Sequence, residues 1–148
     1  MMRYSVRRAR PSDLSRIITI ERAGFGEWAW DRNLFAEYTH TCGELFLVAE
    51  AGGKVIGYCI GCLSRGTASL ESIAVAPAAK GKGAADALLR SLLRRLRRKG
   101  VARVGLMAKA TNGRAIRFYE KYGFRRIRRV ARYYEDGEDG VLFHLDLG

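Results

Sequence analysis

Residues 75–89 read VAPAAKGKGAADALL, a strand-like end followed by a leucine-rich helix, with Gly81 and Gly83 between them, each preceded by a lysine, Lys80 and Lys82. That combination suits an anion. The first N–H groups of a helix have no intrahelical partner and carry partial positive charge, so they cradle phosphate. Glycine lets ligand oxygens come close to the backbone, and the small Ala84 and Ala85 follow directly. A plain strand-to-helix turn would explain a single glycine; the pair with its lysines favours phosphate. Two better-known phosphate loops are excluded by residue identity. A P-loop requires G-x-x-x-x-G-K-[ST], and neither a glycine at that spacing nor a following Ser or Thr is present. A dinucleotide fingerprint, G-x-G-x-x-G, would place Asp86 where its last glycine belongs.

The 148 residues suffice for one domain with its own core, spanning 1–148. No apolar run approaches the roughly 20 residues that cross a bilayer, and the N-terminal MMRYSVRRARPSD lacks the apolar stretch of a secretory signal. A cytoplasmic protein is expected. The net charge of +12 and pI near 10.2 favour polyanionic partners. Three cysteines, Cys42, Cys59 and Cys62, are expected to be reduced thiols without disulfides. Cys59 and Cys62 spell C-x-x-C, but in a strand-like context, where positions three apart point to opposite faces. His40 and His144 are not at ligand spacing, so no metal site is expected.

The elements that must position the glycine loop follow from periodicity and punctuation. Tyr4–Ala9 is a first strand. Pro11, with Ser12 as N-cap, opens a helix whose Leu14, Ile17, Ile18 and Glu21 have helical spacing, ending near Gly24. Asp31 caps a second helix carrying Leu34, Phe35 and Tyr38. A hairpin turns at Gly52-Gly53, and Thr67–Val75 forms the next strand. A long helix runs to about Lys99 and stops at Gly100. Val101–Ala108 is a strand. Thr111 or Asn112 caps a helix that Gly123 ends, Phe124–Tyr134 and Val141–Leu147 are strands, and EDGEDG turns between them. The predicted order is β-α-α-β-β-β-α-β-α-β-β, a mixed α/β sheet with helices on both faces.

The glycine loop resembles the acetyl-CoA signature of the GNAT acetyltransferase superfamily, V-x-P-x-x-R-G-x-G-[IV]-[GA]-x-x-L-[LM], with a lysine, Lys80, in place of the Gln or Arg that opens its core motif. Downstream, TNGRAIRFYEKYGF is similar to the family element x-N-x-x-A-x-x-[FL]-Y-x-x-x-G-F at Asn112, Ala115, Phe118, Tyr119, Gly123 and Phe124. YYEDGEDG resembles the tail of protein N-terminal acetyltransferases, and the ribosomal-protein-alanine type is the nearest likeness. The resemblance implies a single-domain GNAT fold and acetyl-CoA as cosubstrate. Its pantetheine arm would lie along Ile73, Ala74 and Val75, as an added strand does. Its pyrophosphate would be held by the N–H groups from Gly81 through Lys82, Gly83, Ala84 and Ala85, with Lys80 adding charge. Asn112 would touch the arm, Tyr119 would be the general acid, and the Val75 amide would receive the oxyanion.

The base is less plain. The ribosomal-protein type commonly carries a glutamate where this chain has Met107. Glu71 is the expected replacement; on a regular strand it would share a face with Ile73. Glu27 is a second carboxylate near the acceptor, and Trp28, Trp30, Tyr133 and Tyr134 are expected to wall a peptide N-terminus. The arginine runs split cleanly: Leu88, Leu89, Leu92, Leu93 and Leu96 form a buried stripe, with Arg90, Arg94, Arg97 and Arg98 opposite, open to the ribosome or an acidic protein. The expected function is acetylation of a protein N-terminal amine by a monomer or dimer. A small-molecule amine as acceptor, or a ribosome- or RNA-associated binding protein with a vestigial cofactor fold, are the alternatives.

Overall fold

In the computed structural model, which describes residues 3–26 and 29–148, apolar alternation places seven strands in one sheet of order β1-β2-β3-β4-β5-β7-β6. The strands are β1 (Ser5–Arg8), β2 (Phe46–Ala51), β3 (Lys54–Ser64), β4 (Thr67–Val75), β5 (Arg103–Lys109), β6 (Arg125–Val130) and β7 (Gly140–Asp146). The helices are α1 (Leu14–Phe25), α2 (Arg32–Thr41), α3 (Ala84–Arg98) and α4 (Gly113–Lys121). All neighbours are antiparallel except β4 and β5, whose parallel pairing needs the crossover that α3 supplies. The element order is the one predicted, down to the bounds of β4.

Burial follows the two faces of the sheet. Leu47 of β2 turns to the side of α3 and α4, where it meets Leu88, Leu89, Leu92 and Leu96; Phe46 and Val48 turn to α1 and α2, where they meet Ile17, Ile20 and Phe35. Arg90, Arg94, Arg97 and Arg98 lie on the exposed side of α3, opposite its leucines. Among the described residues no helix is long and apolar enough to cross a membrane.

Two local expectations change. Ser12 is not an N-cap: Pro11–Asp13 form a 3-10 turn and α1 begins at Leu14. The Asp13 carboxylate accepts from the Arg10 N–H at 2.7 Å and from both Arg7 terminal nitrogens at 2.8 and 2.9 Å; it ties the turn to β1 and caps no N–H of α1. The Arg7 guanidinium holds Asp13 below the usual carboxylate range. Strand β6 stops at Val130 rather than Tyr134. Arg132 has φ +50°, and the Asp139 carboxylate takes the Arg132 N–H at 3.0 Å and Arg129 Nε at 2.7 Å. Tyr133 and Tyr134 therefore stand on a turn, not on the strand.

The expectation of no disulfide is also overturned. Cys59 and Cys62 do point to opposite faces, but Cys62 meets Cys42 at the end of α2, with 5.1 Å between the Cα atoms, and the two are bonded. Cys59 stays a free, buried thiol whose pKa burial pushes up to about 12. Closing the loop between Cys42 and Cys62, 20 residues apart, is expected to stabilise the fold. Reduction should lower unfolding free energy by about 3 kcal/mol, read as a shift in urea midpoint with and without dithiothreitol. An unshifted midpoint would show that the bridge contributes nothing.

Candidate active site

The site begins where β4 and β5 part. Their ladder covers only Thr67–Leu70 against Arg103–Leu106. Beyond it, β4 keeps β3 on one side through Val75, and β5 keeps β7 through Lys109, but the two no longer pair with each other. Glu71 marks the break. Ile60 of β3 pairs with Ser72 and Gly61 with Leu70, so Glu71 is an extra residue, a β-bulge. A bulge bends a strand and increases its twist, which turns the end of β4 away from β5. Backbone groups facing the gap have no strand partner there. The Ala76 N–H donates to Ile56 of β3 at 2.8 Å, and successive amides point to opposite edges of a strand, so the Val75 N–H faces the opening.

The glycine loop sits at the end of this opening. Gly81 has φ +75° and Gly83 φ +87°, conformations that other residues adopt only under strain. Space around a Cβ at Gly81 is empty to 4 Å. The first rung of α3 runs from the Ala87 N–H to the Gly83 carbonyl at 3.0 Å, so the N–H groups of Ala84, Ala85 and Asp86 precede the helical ladder. Tyr4 fastens the loop by donating its hydroxyl to the Lys82 carbonyl at 2.7 Å. The Lys80 and Lys82 side chains are exposed. Asp86 does not crowd the cradle: its carboxylate accepts from Lys121 at 2.7 Å and Tyr122 at 2.5 Å, and so ties α3 to α4. Open amides, positive charge and absent side chains fit a diphosphate.

Tyr119, on α4, is 9% exposed, with its ring edge-on to Phe118 at 5.5 Å and Phe124 at 5.8 Å. Its hydroxyl makes no hydrogen bond among the described residues, and no fully buried polar side-chain atom there lacks a partner. The oxygen therefore keeps an accessible face. Burial, then the neighbouring Tyr134 and Cys59, raise its pKa, which keeps it protonated at neutral pH. Asn112 caps α4, its Oδ1 accepting from the Ala115 N–H at 3.1 Å, which leaves its amide NH2 for any ligand contact.

The acceptor side differs from expectation in one respect. Leu70 and Ile73 both pack on the α3 face, three residues apart, because the bulge shifts the alternation. Glu71 thus does not share a face with Ile73; it is exposed, and near enough to Tyr38 for its charge to raise that phenol, after burial. The Met107 thioether lies where a Cβ on Gly140 would approach it to 2.9 Å, beside Tyr133. Tyr133 and Tyr134 pack edge to face at 5.0 Å. Burial, then Tyr133, push the Tyr134 phenol up to about 12. Lys109 pins their turn through Asp136 and through Glu138 at 3.1 Å. Trp30 packs on Phe35 at 5.7 Å and Tyr38 at 5.5 Å. Glu27 and Trp28 lie outside the described residues. Tyr38, Ser72 and Lys109 were not anticipated. Only Tyr38 left a trace, as an aromatic residue at helical spacing from Leu34 and Phe35.

The family model described as the Acetyltransferase (GNAT) family matches residues 13–124. An N-alpha-acetyltransferase of Sulfolobus acidocaldarius is 31% identical, over 97% of this chain and 93% of the relative. Among solved structures, Ard1 from Thermoplasma volcanium superposes with a TM-score of 0.93 at 25% identity, covering 98% of each chain. The ribosomal-protein-S18-alanine N-acetyltransferase from Escherichia coli does so with a TM-score of 0.88 at 28% identity, covering 99% of this chain and 95% of that one.

Proposed function

The chain belongs to the GNAT acetyltransferase family, and from that membership we propose that it acetylates the α-amino group of a protein N-terminus, of the ribosomal-protein-alanine kind. It is an acetyl-CoA-dependent N-acetyltransferase. The observation that carries the proposal is the gap between β4 and β5, which opens at Glu71 and ends at the glycine loop. The N-alpha and ribosomal-protein relatives support a peptide as acceptor.

Bound acetyl-CoA supplies an activated acetyl thioester. The chain's own groups do the rest. Backbone amides of Ile73–Val75 would pair with the pantetheine arm, and the amides of Gly81–Ala85 would hold the pyrophosphate. The Val75 N–H, facing the gap, would receive the carbonyl oxygen as it gains charge. An α-amino group has a pKa of about 7.7–8.0, so a useful fraction is already neutral at pH 7 and a weak base suffices. With Met107 unable to accept a proton, Glu71 at the bulge is the carboxylate that would take it, directly or through water. The Tyr119 hydroxyl would give its proton to the departing thiolate. Burial raises this phenol, but a thiolate formed in the same dry site is raised too, which narrows the gap between donor and acceptor. The exposed arginines of α3 would draw an acidic partner such as the ribosome toward this surface.

Acetyl-CoA consumption measured with N-terminal Ala and Ser peptides beside polyamines and aminoglycosides tests the acceptor. Peptide kcat/KM is expected to exceed that of any small amine by roughly tenfold or more. Equal or better turnover of a small amine overturns the assignment.

A further inference from the structure

Glu21 stands in α1 where the stripe Leu14, Ile17 and Ile18 calls for hydrocarbon, yet it is a carboxylate and only 2% exposed. A charge so placed persists where donors meet it. The Trp30 N–H donates to its Oε2 at 2.8 Å, and the Tyr58 hydroxyl donates to its Oε1. Tyr58 is fully buried and has one proton to give. With that proton committed to Glu21, the 3.1 Å contact between its oxygen and Ser72 Oγ has Ser72 as donor. Donors thus converge on a single carboxylate from the segment entering α2 and from β3, and the Tyr58 oxygen extends the chain to Ser72 of β4.

Both outer ends of this chain reach the acceptor side. The Trp30 ring packs on Tyr38 at 5.5 Å, and Tyr38 feels the charge of Glu71. Ser72 directly follows the bulged Glu71. We infer that Glu21 is a positioning residue for the acceptor: its carboxylate locks Trp30, at the entry to α2, to the bulge of β4, so that a peptide meets a preformed wall. This rests on the peptide acceptor proposed above. Burial holds the Glu21 carboxyl above the usual carboxylate range, against the pull of Trp30 and Tyr58. An apolar residue would fill α1 without that conflict, which argues that the donors' placement, and not core packing, is what Glu21 supplies.

The test compares wild type with Glu21→Gln, which keeps the shape and removes the charge. Both tryptophans of the chain, Trp28 and Trp30, stand just before α2 in the sequence, so intrinsic emission reports on that segment alone. Expected are a red-shifted, more acrylamide-quenchable emission, with far-UV circular dichroism and acetyl-CoA affinity unchanged. The KM for an N-terminal peptide should rise roughly 10- to 100-fold while kcat and the KM for alaninamide, too short to reach the wall, stay within about threefold. Unchanged emission overturns the inference whatever the acceptor is. A parallel rise in the acetyl-CoA KM also overturns it, since it would mark a general loss of structure. If wild type acetylates no peptide, the proposed acceptor falls, while the emission arm still decides the role of Glu21. Should Glu21→Gln fail to fold, Tyr58→Phe removes the hydroxyl that joins Glu21 to Ser72 and leaves the Trp30 N–H on Glu21. It should raise the peptide KM roughly 3- to 10-fold with emission unchanged, and an unmoved KM overturns the link to Ser72.

Discussion

Tyr119→Phe is expected to lower kcat by roughly 10²–10⁴-fold, the loss typical of a general acid, while the KM for acetyl-CoA holds. The substitution is clean because the phenylalanine ring keeps the edge contacts with Phe118 and Phe124, and the missing hydroxyl leaves no partner stranded among the described residues. Thermal stability should therefore match wild type. The pH profile gives a second readout. An acid must be protonated to act, and burial raises Tyr119 above the ordinary tyrosine value, so its activity is full at neutral pH and is lost only as pH rises beyond that of a free phenol. The Phe variant should lack any alkaline limb of this origin. A variant that turns over at the wild-type rate would remove Tyr119 from the reaction.

Gly83→Asp should abolish measurable acetyl-CoA binding by calorimetry. Two effects act together and can be separated. Any side chain at φ +87° strains the backbone, by about 1–3 kcal/mol. A carboxylate there would also face a diphosphate held in the cradle; at 4 Å and an effective dielectric near 20 each unit pair of like charges costs about 4 kcal/mol, or roughly a thousandfold in affinity. Gly83→Ala carries the strain without the charge, and its Cβ has room, with Tyr4 Cε2 nearest at 4.0 Å. The Ala variant should bind weakly but measurably, and the Asp variant not at all. Equal affinity in the two would mean that no phosphate rests on this loop.

Features encoded within a few residues were legible in the sequence. The Asp31 and Asn112 caps accept from Leu34 and Ala115 as their spacing implies, Gly52 and Gly53 turn the hairpin with positive φ, and the leucines of α3 fall on one buried stripe. What escaped depends on distant partners or on a break in period. The residues around Glu71 alternate without interruption as a string; the extra residue exists only relative to β3, so the face assigned to its side chain was wrong. The C-x-x-C spacing sets Cys62 beside Cys59 along the chain, whereas its partner comes from the end of α2. Glu21 did leave a mark, an acidic residue at an apolar helical position, but its donors lie on segments that only the fold brings near.

The bulge at Glu71 also bears on how such an enzyme changes its substrate range. A bulged residue has no counterpart across the ladder, and the Glu71 side chain is exposed, so replacing it disturbs neither the pairing of β3 with β4 nor the packing of Ile73 and Val75. With the roles proposed for β4, donor and acceptor recognition would share one strand yet vary separately. Descendants would then drift toward new amines through this one codon while the grip on the thioester is inherited intact.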